Sequence, residues 1–132
     1  MSAPRAVAVG VFDGVHMGHR RVLEALVATG EPRVLTVHPH PRPETKLICT
    51  LERRLELIRE AGVEDIDIVP PGSGLRLGDA FLVSGPQPWV EHPPERVVHV
   101  PLVEGVSSER IRQLVAASDL ESAAKLLGRP AR

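Results

Sequence analysis

Two histidines, His16 and His19, follow a valine-rich apolar run near the start of this 132-residue chain. They belong to the stretch "GVFDGVHMGH", residues 10–19, which also contains three glycines and an aspartate. An imidazole can donate a hydrogen bond to a phosphate oxygen and stabilise charge that builds up there during a reaction. The spacing of three residues predicts that both rings share one face of the first turn of a helix. The pattern therefore indicates phosphate chemistry.

The glycines of this stretch favour the same interpretation. Where a buried strand passes into a helix, the first helical amides are unpaired and the helix dipole attracts anions. Gly10 and Gly14 are predicted to permit a tight turn, and Gly18 to let a phosphate approach the backbone. The chain has neither G-x-x-x-x-G-K-[ST] nor G-x-G-x-x-G, which excludes a P-loop and a dinucleotide fingerprint. A zinc site that adds His38 and His40 to the histidine pair is an alternative, but no cysteine or carboxylate pattern completes it, and no resident metal is expected.

The elements that must position this stretch alternate between strand and helix. Apolar β-branched runs predict strands at 5–12, 32–41, 65–70, 79–85 and 96–101. Helical spacing and capping residues predict helices at 18–30, 50–62, 106–118 and 119–128. The inward-facing residues are predicted to be Val22, Leu23, Leu26, Val27, Leu51, Leu55, Ile58, Ile111, Leu114 and Val115.

This alternation predicts a single α/β, Rossmann-like domain over 1–132, with a parallel sheet of about five strands and helices on both faces. In such sheets the ligand crevice lies outside the carboxyl ends of the strands. The unusual stretches 10–19, 38–41, 84–88 and 107–108 all follow predicted strands, so we expect them on one rim.

Composition excludes several classes of protein. The net charge of −1 without a basic block argues against nucleic-acid binding. The apolar run near the start is too short for a signal peptide or a membrane span, and Cys49 is the single cysteine, which together predict a cytoplasmic protein without membrane contact. Aromatic residues are scarce, so the core is expected to be aliphatic. For Trp89, among prolines, a lid, a dimer contact and a substrate wall all stay open.

The stretch "GVFDGVHMGH" resembles the F-D-x-x-H-x-G-H signature of the nucleotidyltransferase superfamily. Three further blocks, "VLTVHPHPRP", "SSERIR" and "AAKLLGRP", are similar to segments of one branch and stand in the same order. That branch is the FMN adenylyltransferase domain of bacterial FAD synthetase. The four blocks span nearly the whole chain.

The resemblance implies transfer of AMP from ATP to a phosphorylated acceptor, FMN or a smaller molecule, with release of pyrophosphate. It implies three catalytic residues, namely His16, His19 and Arg112, with Arg112 holding the pyrophosphate. It implies nucleotide binding by Gly10, Val11, Phe12, Asp13, Gly18, Ser107, Ser108 and Arg110. It further implies Mg²⁺ accompanying the triphosphate and a homodimer. Arg42 and Lys46, in the loop after the second strand, are candidates for the acceptor's phosphate.

The sequence departs from this family at two places. Glu109 stands where the family has threonine, and would repel a phosphate unless it faces away or binds magnesium. The segment 70–95 is short and lacks the family's G-x-D-F-x-F-G block, which keeps other acceptors open. A cytidylyltransferase acting on an alcohol phosphate is one alternative, since "LVEGVSSE" is similar to R-T-E-G-I-S-T-T, but Leu102 replaces the arginine and favours ATP. A non-catalytic nucleotide-binding module is the other.

Overall fold

The computed structural model describes residues 3–86 and 88–129. The strands are β1 Arg5–Gly10, β2 Glu31–Val37, β3 Asp65–Val69, β4 Phe81–Ser84 and β5 Val97–His99. The helices are α1 Met17–Thr29, α2 Leu51–Glu60, α3 Ser108–Ala116 and α4 Leu120–Leu127, with a 3-10 turn at Pro94–Arg96. Each predicted element is present, and most are shorter than predicted. β1 ends at Gly10 because Phe12 has a φ of 55°, which a strand cannot accommodate.

The five strands form one parallel sheet in the order β3-β2-β1-β4-β5. β1 pairs on one side with β2, where Gly10 lies opposite Thr36, and on the other with β4, where Val7 lies opposite Leu82. The chain places β2 and then β3 on one side of β1, and afterwards β4 and β5 on the other side. The carboxyl end of β1 is therefore the topological switch point, where ligands bind in sheets of this kind. The predicted α/β class and parallel sheet are confirmed.

One face of the sheet packs against α1 and α2. Ala6 and Ala8 of β1 and Val34 of β2 are fully buried in a cluster with Leu23 and Leu26 of α1. The same cluster includes Leu57 and Ile58 of α2. Small residues on β1 let the helices approach closely, so the helix that begins at the switch point is held firmly against the sheet.

The opposite face packs against the connection between β3 and β4. Leu75, Leu77 and Ala80 of this connection contact Val7 and Leu35 of the sheet. A helix layer was predicted on both faces. Here the layer is an extended loop, because residues 70–80 are few for a crossover helix.

Helices α3 and α4 form a third cluster. Ile111, Ala123 and Leu127 are buried together, with Ile48 and Leu114 packed against them. Ile48 belongs to the loop after β2, so this cluster attaches the two C-terminal helices to the rim of the sheet.

Two predicted inward residues are exposed. Val27 and Val115 each keep 43% of their surface accessible. Val27 lies at the margin of the core beside Gly62, after the end of α2, since a Cβ on Gly62 would lie 3.5 Å from Val27 Cγ2. Leu51 and Leu55 are only partly buried, and Arg54 is the fully buried residue of that helix together with Ile58. Across 3–86 and 88–129, no helix has the length and apolar character that a membrane crossing requires.

Candidate active site at the carboxyl rim of the sheet

A crevice of about 510 Å³ opens at the carboxyl ends of β1, β4 and β5, within the usual range for ligand sites. The turn between β1 and α1, His40, the segments after β4 and β5 and the start of α3 all contribute to its walls. The predicted meeting of the four unusual stretches on one rim is therefore confirmed.

His16 and His19 form a reciprocal cap at the start of α1. His16 is the N-cap residue, and its Nδ1 accepts a hydrogen bond from His19 N at 3.2 Å. His19 Nδ1 in turn accepts from His16 N at 3.3 Å. The two rings stack with centroids 3.6 Å apart and an interplanar angle of 13°. This arrangement is a capping box in which histidines replace the usual Ser and Glu.

The cap also determines where each ring carries its proton. Because both Nδ1 atoms accept backbone N–H groups, the neutral tautomer with hydrogen on Nε2 is required. Burial lowers the pKa of His16 to about 4, against the opposing effect of the Asp13 carboxylate. Burial and the neighbouring His16 ring lower the pKa of His19 well below 6.5. Both residues line the crevice, so at neutral pH it contains two uncharged imidazoles with Nε2–H donors.

The turn before these histidines is strained. Phe12 and Val15 have φ values of 55° and 41°, in the left-handed region that side chains with a Cβ rarely adopt. Gly14 has φ of 84°, and a Cβ there would lie 2.8 Å from Ile48 Cγ2, so glycine is required. The Phe12 ring meets His19 edge-on with centroids 5.3 Å apart. The predicted need for glycine is thus met by Gly14, whereas Gly10 does not adopt a positive φ.

Gly18 makes room for the His16 ring. A Cβ at this position would lie 2.9 Å from His16 Cε1 and 3.1 Å from His16 Nδ1. Gly18 also lines the crevice. Its predicted role was to let a phosphate approach the backbone. The stacked pair itself gives a second reason for glycine between the two histidines.

Asp13 joins the turn to two distant segments. Its carboxylate is 1% exposed. It accepts hydrogen bonds from Ile48 N at 3.0 and 2.9 Å and from Cys49 N at 3.3 Å. It also accepts from Arg112 Nη2 at 2.7 Å. The predicted role of Asp13 was the turn beneath a nucleotide; the geometry adds that this side chain holds the turn to the 46–49 loop and to α3.

Arg112 lines the crevice with two of its three nitrogens engaged. Nε donates to Lys46 O at 2.8 Å, and Nη2 to the Asp13 carboxylate. Nη1 lies 3.9 Å from Glu109 Oε2. Contact between Arg112 and a leaving pyrophosphate stays a prediction. Nη1 is the nitrogen of this side chain that donates no hydrogen bond to the residues that the structure describes, so it is the one that could make that contact.

The two serines have different positions. Ser107 is the N-cap of α3, and its Oγ accepts from Arg110 N at 3.1 Å. Ser108 lines the crevice and donates from Oγ to Asp13 O at 3.3 Å. Glu109 is 73% exposed in its side chain and points toward Arg112 Nη1. Glu109 does not line the crevice, but the Arg112 guanidinium beside its carboxylate does. The repulsion of phosphate that its sequence position suggested therefore stays a prediction.

Arg110, Arg42 and Lys46 are exposed. Arg110 lies on the outer side of α3, and the other two belong to the loop after β2. Lys46 contacts the site through its carbonyl, which accepts from Arg112 Nε. They do not line the crevice, and their predicted phosphate contacts stay predictions.

The sequence analysis did not identify Arg54 and Arg129 as residues of the site. Arg54 is wholly buried, and its Nη1 donates to Thr36 Oγ1 at 3.1 Å and to Val37 O at 3.2 Å. Thr36 Oγ1 donates to Val11 O at 2.9 Å, so a chain of two hydrogen bonds links α2 to the turn. Arg129 Nη1 donates to Val15 O at 3.0 Å, and its Nη2 to Gly14 O. A signal for Arg129 was its place in the "LLGRP" block; nothing in the helical pattern distinguished Arg54 from surface arginines.

The described residues do not form a resident metal site. Among 3–86 and 88–129, no group of three or more His, Cys, Asp or Glu side chains could hold an ion, which contradicts the zinc alternative. The Asp13 carboxylate is occupied by amides and a guanidinium. The Mg²⁺ that the resemblance implies stays a prediction.

A sequence model of the FAD synthetase family matches residues 1–71. Because this is more than half of the chain, the protein belongs to the FAD synthetase family. The matched part contains β1, the histidine pair, β2, α2 and β3. The resemblance found in the sequence motifs is thereby confirmed.

The chain is also similar to curated relatives, all of which have an adenylyltransferase activity in their names. The chain is 28% identical to the bifunctional riboflavin kinase/FMN adenylyltransferase of Bacillus subtilis and 31% identical to that of Listeria monocytogenes, each match covering 67% of this chain and 30% of the relative. It is 40% identical to the phosphopantetheine adenylyltransferase of Symbiobacterium thermophilum over 43% of this chain and 34% of that one. The match thus spans about a third of each of these relatives.

Proposed function

We propose that this chain is a nucleotidyltransferase that moves AMP from ATP to the phosphate of FMN and releases pyrophosphate. The observation that carries the proposal is the histidine pair: two neutral imidazoles, fixed by their own backbone at the start of α1, line a crevice at the switch point of a parallel sheet. Membership of the FAD synthetase family supports the same activity. The names of the Bacillus and Listeria relatives suggest ATP and FMN as the substrates.

The proposed reaction is a direct displacement at phosphorus. An oxygen of the FMN phosphate forms a bond to the α-phosphorus of ATP. The bond from that phosphorus to the oxygen that bridges it to the β-phosphorus breaks, and the electron pair leaves with pyrophosphate. Little covalent chemistry is asked of the protein, so positioning and charge stabilisation provide the acceleration.

The His16 and His19 rings act as hydrogen-bond donors in this proposal. Their Nε2–H groups bind oxygens of the α-phosphate, where charge is redistributed in the transition state. Because Nδ1 of each neutral ring accepts a backbone N–H in the cap, the ring hydrogen lies on Nε2, which is the donor that this role requires. The N-terminal ends of α1 and α3 both lie at the crevice and add the favourable field of two helix dipoles.

On the α3 side, Ser108 and Arg112 complete the phosphate site. Ser108 Oγ lies against the turn carbonyl of Asp13 and lines the crevice. Arg112 is held in place by Asp13 and Lys46 O, and we assign its Nη1 to the leaving pyrophosphate. Mg²⁺ enters bound to the triphosphate, as part of the substrate.

The test is pyrophosphate release by the purified chain with Mg²⁺ and either ATP or CTP, each offered with FMN or with small alcohol phosphates such as glycerol 3-phosphate. Release with ATP and FMN is the expected result. Release with ATP and only another acceptor would overturn FMN as the substrate. Release with CTP alone would identify a cytidylyltransferase, and no release with any pair would leave a nucleotide-binding module.

A matched pair of variants tests the histidine role. In His19→Gln, the new side chain at the third helical position can still accept from His16 N, as glutamine does in a capping box. We expect the fold to persist and turnover to fall by about a hundredfold or more, as when a transition-state donor is lost. Exposed His99→Gln is the control, with unchanged turnover. Equal turnover in the two variants would remove His19 from the mechanism.

A further inference from the structure

Trp89 is the single tryptophan of the chain and lies between β4 and β5. Its side chain lines the crevice while 52% of the residue stays exposed. A Cβ on Gly10 would lie 3.5 Å from the indole Nε1. The indole therefore stands beside the last residue of β1, where the turn to the histidines begins.

The rim around Trp89 is apolar. Leu102, which follows β5, also lines the crevice and is 74% exposed. Pro86, Pro101 and Val103 line the same wall. Large apolar side chains exposed at the edge of a crevice mark the place where an apolar part of a ligand binds. The crevice lining thus combines polar side chains, among them His16 and Ser108, with apolar ones such as Trp89.

The other two aromatic residues are not available for stacking. Phe12 is 4% exposed and meets His19 with its ring. Phe81 has the Arg96 guanidinium over its ring at 5.7 Å. With no tyrosine in the sequence, Trp89 is the one residue among the phenylalanine, tyrosine and tryptophan side chains that can present a ring face to a ligand in the crevice.

We propose that the Trp89 indole is the stacking surface for a planar, fused aromatic ring of a bound substrate. The proposal rests on the proposed function for the identity of that ring, which is the adenine of ATP or the isoalloxazine of FMN. Stacking on an indole is tolerant of ring type, because every such ring has a π face. The chain would thereby bind a flat ring without the aromatic G-x-D-F-x-F-G block that the family carries elsewhere.

The composition makes the test direct. With one tryptophan and no tyrosine, intrinsic emission under tryptophan-selective excitation comes from Trp89 alone. ATP with Mg²⁺ and FMN are titrated separately, and FMN is also followed by its own visible fluorescence. We expect quenching by one of them. In Trp89→Leu, which keeps an apolar side chain but has no π face, the dissociation constant of that ligand should rise about five- to a hundredfold. Trp89→Phe should restore most of the affinity.

The ligand arms distinguish the two rings through Trp89→Leu, since weaker binding of ATP by this variant assigns adenine and weaker binding of FMN assigns isoalloxazine. No change of emission with either ligand, or equal affinities of wild type and Trp89→Leu, would overturn the proposal. Circular dichroism establishes that the variant is folded; if it is not, the wild-type titrations and Trp89→Phe decide. Pyrophosphate release with unchanged affinities would refute stacking but keep the enzyme. Quenching without pyrophosphate release from any donor would support stacking and contradict the proposed enzymatic activity.

Discussion

The Asp13 carboxylate accepts a hydrogen bond from Arg112 Nη2 at 2.7 Å, across a sequence separation of 99 residues. Asp13 is 1% exposed and the Arg112 side chain 18%. The pair joins the turn that carries the histidines to the helix that begins with Ser108. Two motifs from opposite halves of the sequence are thus held together by one ion pair whose carboxylate is buried.

Arg112→Met should destabilise the fold because it leaves the buried Asp13 charge without its cation. We expect the free energy of unfolding to fall by about 3 kcal/mol, as for other buried pairs that lose one partner. Arg110→Met, on the same helix but exposed, is the control and should change stability by less than about 0.5 kcal/mol. Urea unfolding measures both. Equal stabilities of the two variants would contradict the ion pair, and Asp13→Asn in a double-mutant cycle would give its coupling energy.

Gly18→Ala should displace the His16 ring, since the added Cβ would lie 2.9 Å from its Cε1. A flexible ring can rotate away, and alanine favours the helix by up to about 1 kcal/mol, so little stability should be lost. The expected result is a large shift of the His16 ring proton resonances and a fall in turnover. Gly74→Ala, where nothing lies within 4 Å of the new Cβ, is the matched control. Unchanged His16 resonances would show that the stacked pair tolerates a side chain at position 18.

The histidine pair should make stability depend on pH. The pKa of His16 falls from 6.5 to about 4 on folding because the ring is buried. Between these values the unfolded chain binds the proton and the folded chain does not, so stability must fall as pH decreases from 6.5 toward 4. The difference amounts to about 3 kcal/mol for His16, and His19 acts in the same direction.

This pH effect is measured by chemical unfolding across that range in wild type and in His16→Asn. Asparagine is a good N-cap residue, so the helix start is retained while the titrating ring is lost. Subtracting the pH dependence of the variant's stability from that of wild type removes the contribution of the carboxylates that both proteins contain. A wild-type slope no steeper than that of the variant would contradict a buried neutral His16.

Arg54→Met should raise the pKa of His19. The Arg54 guanidinium is fully buried and is one of the charges that oppose protonation of His19, after burial itself and the His16 ring. Removing a nearby cation makes imidazolium less unfavourable. An NMR titration of the His19 ring gives the direction in which its pKa changes. Arg53→Met, the exposed neighbour paired with Glu56, should leave the His19 pKa unchanged, and the same value in both variants would exclude Arg54 as a cause.

Much of the site could be predicted because its parts are local in the chain. The strand before the histidines, the helix after them and the Ser107 cap follow from short patterns of apolar, glycine and hydroxyl residues. The meeting of His40, Ser84 and Ser108 at one crevice follows from a general property of parallel sheets. That prediction needed only the parallel direction of the strands.

Other features depend on contacts that no local pattern contains. Arg54 occupies a position in α2 that helical spacing treats as ordinary, and its burial follows from the way α2 crosses the end of β2 beside Thr36 and Val37. The direction of the Glu109 side chain was open until the turn of α3 placed its carboxylate 3.9 Å from Arg112 Nη1. In both cases the packing of a helix determines which residue the side chain contacts.

The sequence by itself determined the class of fold and the family, and it predicted the residues of a phosphate site, because strand periodicity, capping and motif spacing act over a few residues. Only the tertiary structure decided that His16 and His19 cap each other as neutral stacked rings, that Asp13 binds Arg112, and that Trp89 stands at the crevice. The physical reason is that these depend on desolvation and on hydrogen-bond geometry, which arise when distant segments exclude water from one another.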